Sequence, residues 1–466
     1  MVVVGEPLEL RPPPEDPEAE AEALFKEARR RTRRRRASRF ALVASAATAA
    51  IAICDLVIGA QPRSSASATP MPAVNRSAFA GHGYLAFISR GTLWVLDGSS
   101  GSLTPVTGPS QQASDPAFSP GGRWLSYGVA NQTWLARADG SSPRLISSGS
   151  GGGSWLSGDL LLVGDGVWRI STGEGVTHAG SASTGLFPPS TGEHRYIFVS
   201  STLRVAPDRR PSSGVMRLEV SSSLNGRRKT WFEMPVSFTP QGGLNEPAFT
   251  FALALPKGAG ILVGGSTYCC DIADGVNVYE IKAAGAPRRS FGHTVGDTVS
   301  LGANGTFAFT RGANRYAWLT KAVETCSTAT ERCTRVPTAA GTLSLDPAFS
   351  PDGRTLAFVQ AAGLDQTTIG QAEVLRWYAT HSLWIRREPD TAPVRIAGTT
   401  GAAAPVWSKD GRSLLYVADD GLWLLPSLSA KPVRIAAPLF SPGAWPSFYG
   451  EVGWSGQFAW STAAQS

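Results

Sequence analysis

"DPAFSPDGRTLAFV" (346–359) decides the fold, because near-copies stand elsewhere in the chain: "DPAFSPGGRWLSYG" (115–128) and "APVWSKDGRSLLYV" (404–417). Each copy joins an apolar run to a second, alternating one through a few polar residues, the pattern of strand, turn and strand. The central Asp-Gly admits two readings, a cation-binding loop or a hairpin turn. Glycine supplies the positive φ of a tight turn, and aspartate hydrogen-bonds its own backbone there. One copy carries Gly121 and another Lys409 at or beside the aspartate position, which keeps a turn but loses a constant ligand set. A turn is therefore expected, and calcium is not.

A larger unit surrounds this stretch: a strand, the turn, a strand like "TLAFV", a strand carrying Leu-Trp, and a strand like "PVRIA". The third element is the easiest to follow, at Trp94, Trp134, Trp168, Trp318, Trp384 and Trp423, with fainter copies at Met216 and Tyr279. These eight copies recur about every 47 residues, a period near that of propeller blades. Short alternating strands, 51 glycines and 33 prolines agree. The expected fold is all-β: a β-propeller of about eight four-stranded blades, or seven if 151–180 is degenerate. The first unit begins at its second strand, so the C-terminal "FYGEVGWSGQFAWS" (448–461) is expected to supply its missing inner or outer strand and close the ring.

The motif "DPAFSPDGRTLAFV" followed by "LWI" and "PVRIA" resembles the WD-repeat-like units of TolB-type propellers. The resemblance is strong over 346–398, good over 115–147 and 404–436, and faint over 185–338. It implies a propeller in a bacterial envelope setting that acts by protein–protein contact. TolB proteins are soluble, periplasmic and carry a small domain before the propeller, whereas this chain begins differently, so no specific partner transfers. Related propellers also precede hydrolase domains in serine peptidases, but here the repeats run on to the C-terminal end of the sequence.

Residues 1–39 read as a charged, partly helical cytoplasmic stub ending in "RRRTRRRR" (29–36). Residues 40–60, "FALVASAATAAIAICDLVIGA", are long and apolar enough to cross a bilayer once. Seven arginines just before them put the N-terminus in the cytoplasm and the rest outside. A cleaved export signal, with "ASA" (66–68) as its site, is the alternative; a lipoprotein signal at Cys54 is weaker. Residues 61–79 read as a polar linker and 80–466 as the extracytoplasmic propeller. Net charge is +7, yet residues 61–466 hold 33 basic against 27 acidic side chains, so no nucleic-acid footprint is read there.

The five histidines, at 82, 178, 194, 293 and 381, show no metal spacing, and no nucleophile elbow or phosphate loop occurs. No catalytic residue, metal or cofactor is implied. Outside the membrane segment lie Cys269, Cys270, Cys326 and Cys333, an even number in an oxidising setting with three possible pairings. "TYCCDIADG" follows a second strand and "KAVETCSTATERC" a third, which places the two pairs on opposite faces, beyond the reach of a disulfide. The expectation is a Cys326–Cys333 bond, leaving Cys269 and Cys270 as a vicinal disulfide or two thiols.

Three second-to-third-strand connections are long: 202–214, 267–275 and 361–381. Topology puts all three on one face, where long loops on a rigid frame serve recognition. Arg204, Arg209, Arg210, Asp271, Arg376, Trp377, Tyr378 and His381 are the candidate partner-binding residues. "RWY" (376–378) offers the flat contact area of interface anchors. The leading function is non-catalytic binding of another envelope protein or a cell-wall polymer. The alternative is an extracytoplasmic glycan or peptide hydrolase or lyase with its site in the propeller channel.

Overall fold

The structure, a computed structural model, describes residues 71–109, 111–149, 151–164, 166–176, 185–187, 195–205, 211–237, 248–266, 276–283, 288–312, 321–363, 376–387, 391–439 and 454–462. The chain divides into Met1–Ala68 and Thr69–Ser466, and all that follows concerns the second unit. The stub and residues 40–60 lie outside the described residues. No helix among the described residues is long and apolar enough to cross a membrane.

The fold is a β-propeller built of antiparallel sheets that follow one another along the chain. In the second sheet the strands Ala113–Phe118, Trp124–Val129, Gln132–Arg137 and Arg144–Ser148 lie side by side in chain order. The third sheet (154–176), the fourth (185–237) and the sheet of 342–395 repeat this plan. Between these last two stands a seven-stranded sheet, and its strand Arg289–Leu301 explains the number. Residues 289–294 of that strand pair with Val276–Ile281, and 299–301 pair with Thr306–Arg311. One continuous strand thus ends one unit and begins the next.

Seven of the eight third-strand assignments coincide with observed strands, from Thr92–Asp97 to Gly421–Leu425. The exception is "AWLT" at Trp318. The third strand of that unit is Ala322–Ser327, fixed by the pairs Phe307↔Cys326 and Thr306↔Ser327. Trp318 itself lies outside the described residues.

Both ends of the unit are woven into the ring. Phe458–Ser461 pairs with Tyr84–Phe87 and takes the inner, first-strand place of the first sheet. Ala73–Val74 pairs with Ala436–Ala437 as a fifth, outer strand of the last sheet. The folded unit therefore starts inside the stretch read as linker, and Phe79 is already fully buried. Strand periodicity explains how the sheets pack. Leu85 and Phe87 face the last sheet, against Leu415, Val417 and Leu422. Tyr84, Ala86 and Ile88 face the second, against Leu125 and Tyr127. Similar seams follow: Leu135 with Leu161, Val167 with Phe198, Leu218 with Ile261, Phe291 with Phe307, Val323 with Phe358, and Leu383 with Leu414.

The opening motif is a frame device with two parts. The first is the turn. Asp352 Oδ1 accepts the Ser350 hydroxyl at 2.5 Å and the Arg354 N–H at 3.1 Å, while Gly353 sits at φ +67°. Asp410 repeats this with Ser408 at 2.6 Å and Arg412 at 3.1 Å. The Ser350 and Ser408 hydroxyls, and then the backbone N–H groups, hold both carboxyls below their usual pKa. A Cβ on Gly353 would collide with the Ala303 backbone, so this glycine answers both conformation and crowding.

The second part is a bulge in the inner strand. Asp115, Asp346 and Ala404 occupy equivalent places at φ +50°, +50° and +48°, and pairing slips there in all three strands. Proline follows each of them, and it has no N–H to leave unpaired at the slip. The next sheet caps a nearby carbonyl: Trp155 Nε1 donates to Ala117 O at 3.0 Å and Trp407 Nε1 to Ala348 O at 2.9 Å. Asp346 Oδ2 also accepts the Ala404 N–H at 3.1 Å. Repetition of the sequence thus reproduces the joints between sheets.

Candidate functional site

The face formed by second-to-third-strand connections carries most of the residues singled out in the sequence. In the first, second, third and last sheets this connection is minimal, two residues long. Arg90 and Gly91 both take positive φ, 52° and 79°, as do Asp419 and Asp420 at 47° and 57°, the geometry of two-residue hairpin turns.

The fourth sheet departs from this. Residues 202–214 are not a long loop but mostly paired strand. Tyr196–Val205 and Pro211–Ser221 run together through Leu203↔Gly214 and Arg204↔Ser213, and Lys229–Ser237 continues alongside to Ser213↔Ser237. Alternation in "STLRV" and "SSGVMRLEV" sustains pairing where a loop was expected. Val199 and Met216 lie in a packed apolar cluster with Phe232 and Phe249. Beyond it the hairpin runs on by about four residues per strand, about 13 Å at 3.3 Å per residue. Arg204 lies on this extension; Arg209 and Arg210 lie outside the described residues, as do Cys269, Cys270 and Asp271.

The connection 361–381 is described at its two roots. Residues 376–378 form a helical turn. Trp377 Nε1 donates to Ala362 O at 2.9 Å, and Thr380 Oγ1 accepts the Ala362 N–H at 3.1 Å and donates to Trp377 O at 2.7 Å. The His381 ring lies 4.4 Å from Trp377 and 4.6 Å from Tyr378 between ring centres. Trp377 is 5% exposed and His381 2%, so neither offers the open contact area expected of it. The Trp377 ring instead packs among Leu343, Leu345 and Val359, with the His381 ring edge-on to it, and the pair fastens the excursion to its sheet. Arg376 is exposed and Tyr378 half-buried, and these two remain at the surface. His381 Nδ1 stands 3.3 Å from Ala402 O, which marks it as the protonated nitrogen. Burial pushes this histidine down to about 4, against the Ala402 carbonyl, so the ring is neutral at ordinary pH.

Cys326 and Cys333 form the expected disulfide, with an S–S distance of 1.97 Å. They face one another across the paired strands Ala322–Ser327 and Arg332–Arg335, so the bond joins strands and not loop ends. Glu324 lies near both sulfurs, a set that by position resembles a metal site. The sulfurs are bonded to each other and Glu324 is paired with Arg311 at 2.8 Å, so the set is structural. Sequence reading missed what this hairpin does: its tip carries Glu331 to Arg289 and, at 2.8 Å, to Lys282 of the preceding unit. No linear signal marks such a contact, because its members lie 42 and 49 residues apart.

No family model and no curated protein matches the chain. Among solved structures it is similar to the C-terminal WD40 domain of Sif2, at 12% identity over 78% of this chain and 93% of that one, with a TM-score of 0.43. It is also similar to the β-propeller domain of the Trilobed protease from Pyrococcus furiosus, at 10% identity over 65% and 86%, with a TM-score of 0.37. An oligogalacturonate lyase in complex with manganese matches at 12% identity over 77% and 96%, with a TM-score of 0.43. The likeness is one of fold, and nothing these proteins bind or cleave is carried over.

Proposed function

We propose that the chain is a non-catalytic, TolB-like propeller of eight blades, held outside the cell membrane by residues 40–60. It binds another envelope protein or a wall polymer through the face of its second-to-third-strand connections. The observation that carries this reading is the fourth-sheet hairpin, whose three paired strands run to ten, eleven and nine residues while the same connection of the first, second and last sheets turns back in two residues. Paired backbone holds such an extension in place, so recognition would cost little ordering entropy. Arg204, Arg209, Arg210 and Arg376 suit an acidic partner. Trp377 and His381 act as the fastening of the second excursion, with Tyr378 beside them.

The test is crosslinking in cells, with a photoreactive residue in place of Arg209 or Arg376. Both positions are expected to capture the same envelope component. Capture should be lost when Arg204, Arg209 and Arg210 are changed to Glu. Adducts no different from those of a probe at Arg354, on the opposite face, would overturn the binding face. Protection of residues 69–466 from external protease in spheroplasts would overturn the location.

A further inference from the structure

The opposite face, formed by first-to-second and third-to-fourth-strand turns, holds a cleft of about 1020 Å³ along the second sheet, reaching Tyr84 of the first and Asp159 of the third. Ligand clefts commonly span roughly 300–1000 Å³, so this one has room for several linked rings. One copy of the repeated turn lines it, and that copy departs from the other two. Where the other two copies place Asp352 and Asp410 to bind the serine hydroxyl, this copy has Gly121. Nothing lies within 4 Å of where a Cβ on Gly121 would stand. Ser119 still accepts the Arg123 and Trp124 N–H groups at 3.2 and 3.1 Å, so the turn keeps its shape without the carboxylate.

The lining mixes polar and apolar surface, and its charged side chains are Arg123 and Arg137 against Asp139 and Asp159, the last 3.5 Å from Arg169. Two of these groups are fixed in orientation. Asp139 Oδ1 accepts the Ser141 N–H at 2.9 Å, and Asp159 accepts the Ser171 N–H at 2.7 Å and its hydroxyl at 2.8 Å. Tyr84, 5% exposed, forms the floor, and half-buried Trp124 stands at the side with the Arg144 guanidinium 5.9 Å from its ring.

We infer that this cleft binds a neutral oligosaccharide. A sugar hydroxyl both donates and accepts, which matches guanidinium donors beside carboxylate acceptors. Its ring presents an apolar C–H face to an aromatic side chain. Balanced charge disfavours polyanions and polycations alike. A peptide would need an open strand edge or apolar pockets for alternate side chains, and among the described residues Ala138 is the only aliphatic one in the lining.

The experiment titrates the full-length chain, in a sugar-free detergent, with maltohexaose, cellohexaose and chitohexaose, and reads tryptophan fluorescence and heat. At least one sugar is expected to bind. Gly121→Leu, which fills open space, and Asp139→Asn, at an exposed turn, should each weaken binding about tenfold or more. Arg376→Ala, on the other face, should bind as the parent does, which separates this cleft from the face proposed above. Binding of none of the three sugars, full affinity in both cleft variants, or binding of a pooled tetrapeptide library in their place would overturn the inference.

Discussion

The second and fourth sheets follow one plan with different results. Strands of the second are five or six residues long, and their apolar side chains reach both neighbours. Its turn, its bulge and the indole of Trp155 satisfy the backbone at each irregular point. The fourth has strands of ten, eleven and nine residues, with pairing slips at Arg204/Val205 and Leu218/Glu219. Its far stretches, "STLRV" (201–205) and "PSSGV" (211–215), mix Ser, Thr, Arg and Pro with Leu203, Val205 and Val215. The regular unit is shaped by what it packs against. The irregular one carries its pairing further, and that further stretch is the one proposed above to meet a partner.

That contrast can be broken most forcefully at a seam. Phe358, fully buried between two sheets, should lose about 4 kcal/mol of stability when changed to Ala. Urea unfolding that shows a loss below about 1 kcal/mol would mean that the seams do not carry the frame. Next in size is a pH effect at His381. Its folded value of about 4 lies below the ordinary 6.5, so as pH falls the unfolded chain takes the proton first. Stability from this group is complete above pH 6.5 and declines by roughly 3 kcal/mol in all as pH falls to 4. The difference between wild type and His381→Phe, measured across that window, isolates it; a constant difference would remove the assigned burial.

Replacing Cys326 and Cys333 together by Ser should cost about 2 kcal/mol, as expected for a short closed loop, and should loosen the Glu331 contact with Lys282 and Arg289. Hydrogen exchange at 289–294 would register the second effect. Trp407→Phe keeps the ring packing and removes the bond to Ala348 O, for about 1 kcal/mol. Smallest is Arg204→Ala on the projecting hairpin. Its thermal midpoint should change by an amount corresponding to less than about 0.5 kcal/mol, while capture of the partner falls. A large loss of stability there would make the hairpin part of the frame.

Legibility in the sequence followed the same division. Where Asp-Gly turns and Leu-Trp strands recur, the strands, their order and the closing role of the C-terminal strand were all readable, because side chains there answer local backbone needs; that this strand takes the inner and not the outer place came from its pairing with Tyr84–Phe87. At Trp318 the match falls outside the described residues, and the described part of that third strand, Ala322–Ser327, has its register set by the pairing of Phe307 with Cys326 and not by a local signal. The aromatic residues at 377 and 381 were read as surface because their stretch lies in a long connection. Sequence position cannot show that Ala362 and Ala402 supply carbonyls to receive them. The cleft was visible only as a departure, Gly121 where a repeat asks for Asp, and at first that departure argued only against calcium.

The weaving of both ends has a consequence for the order of events. The Trp460 indole reaches the His82 carbonyl across 378 residues of chain. Contacts so distant in sequence form late and slowly, so every other seam can assemble while the circle stays open. Until 458–461 arrives, the strand Tyr84–Ser89 shows an unpaired, apolar edge, a ready template for another chain. A chaperone that shields this one edge would therefore protect the protein through most of its maturation.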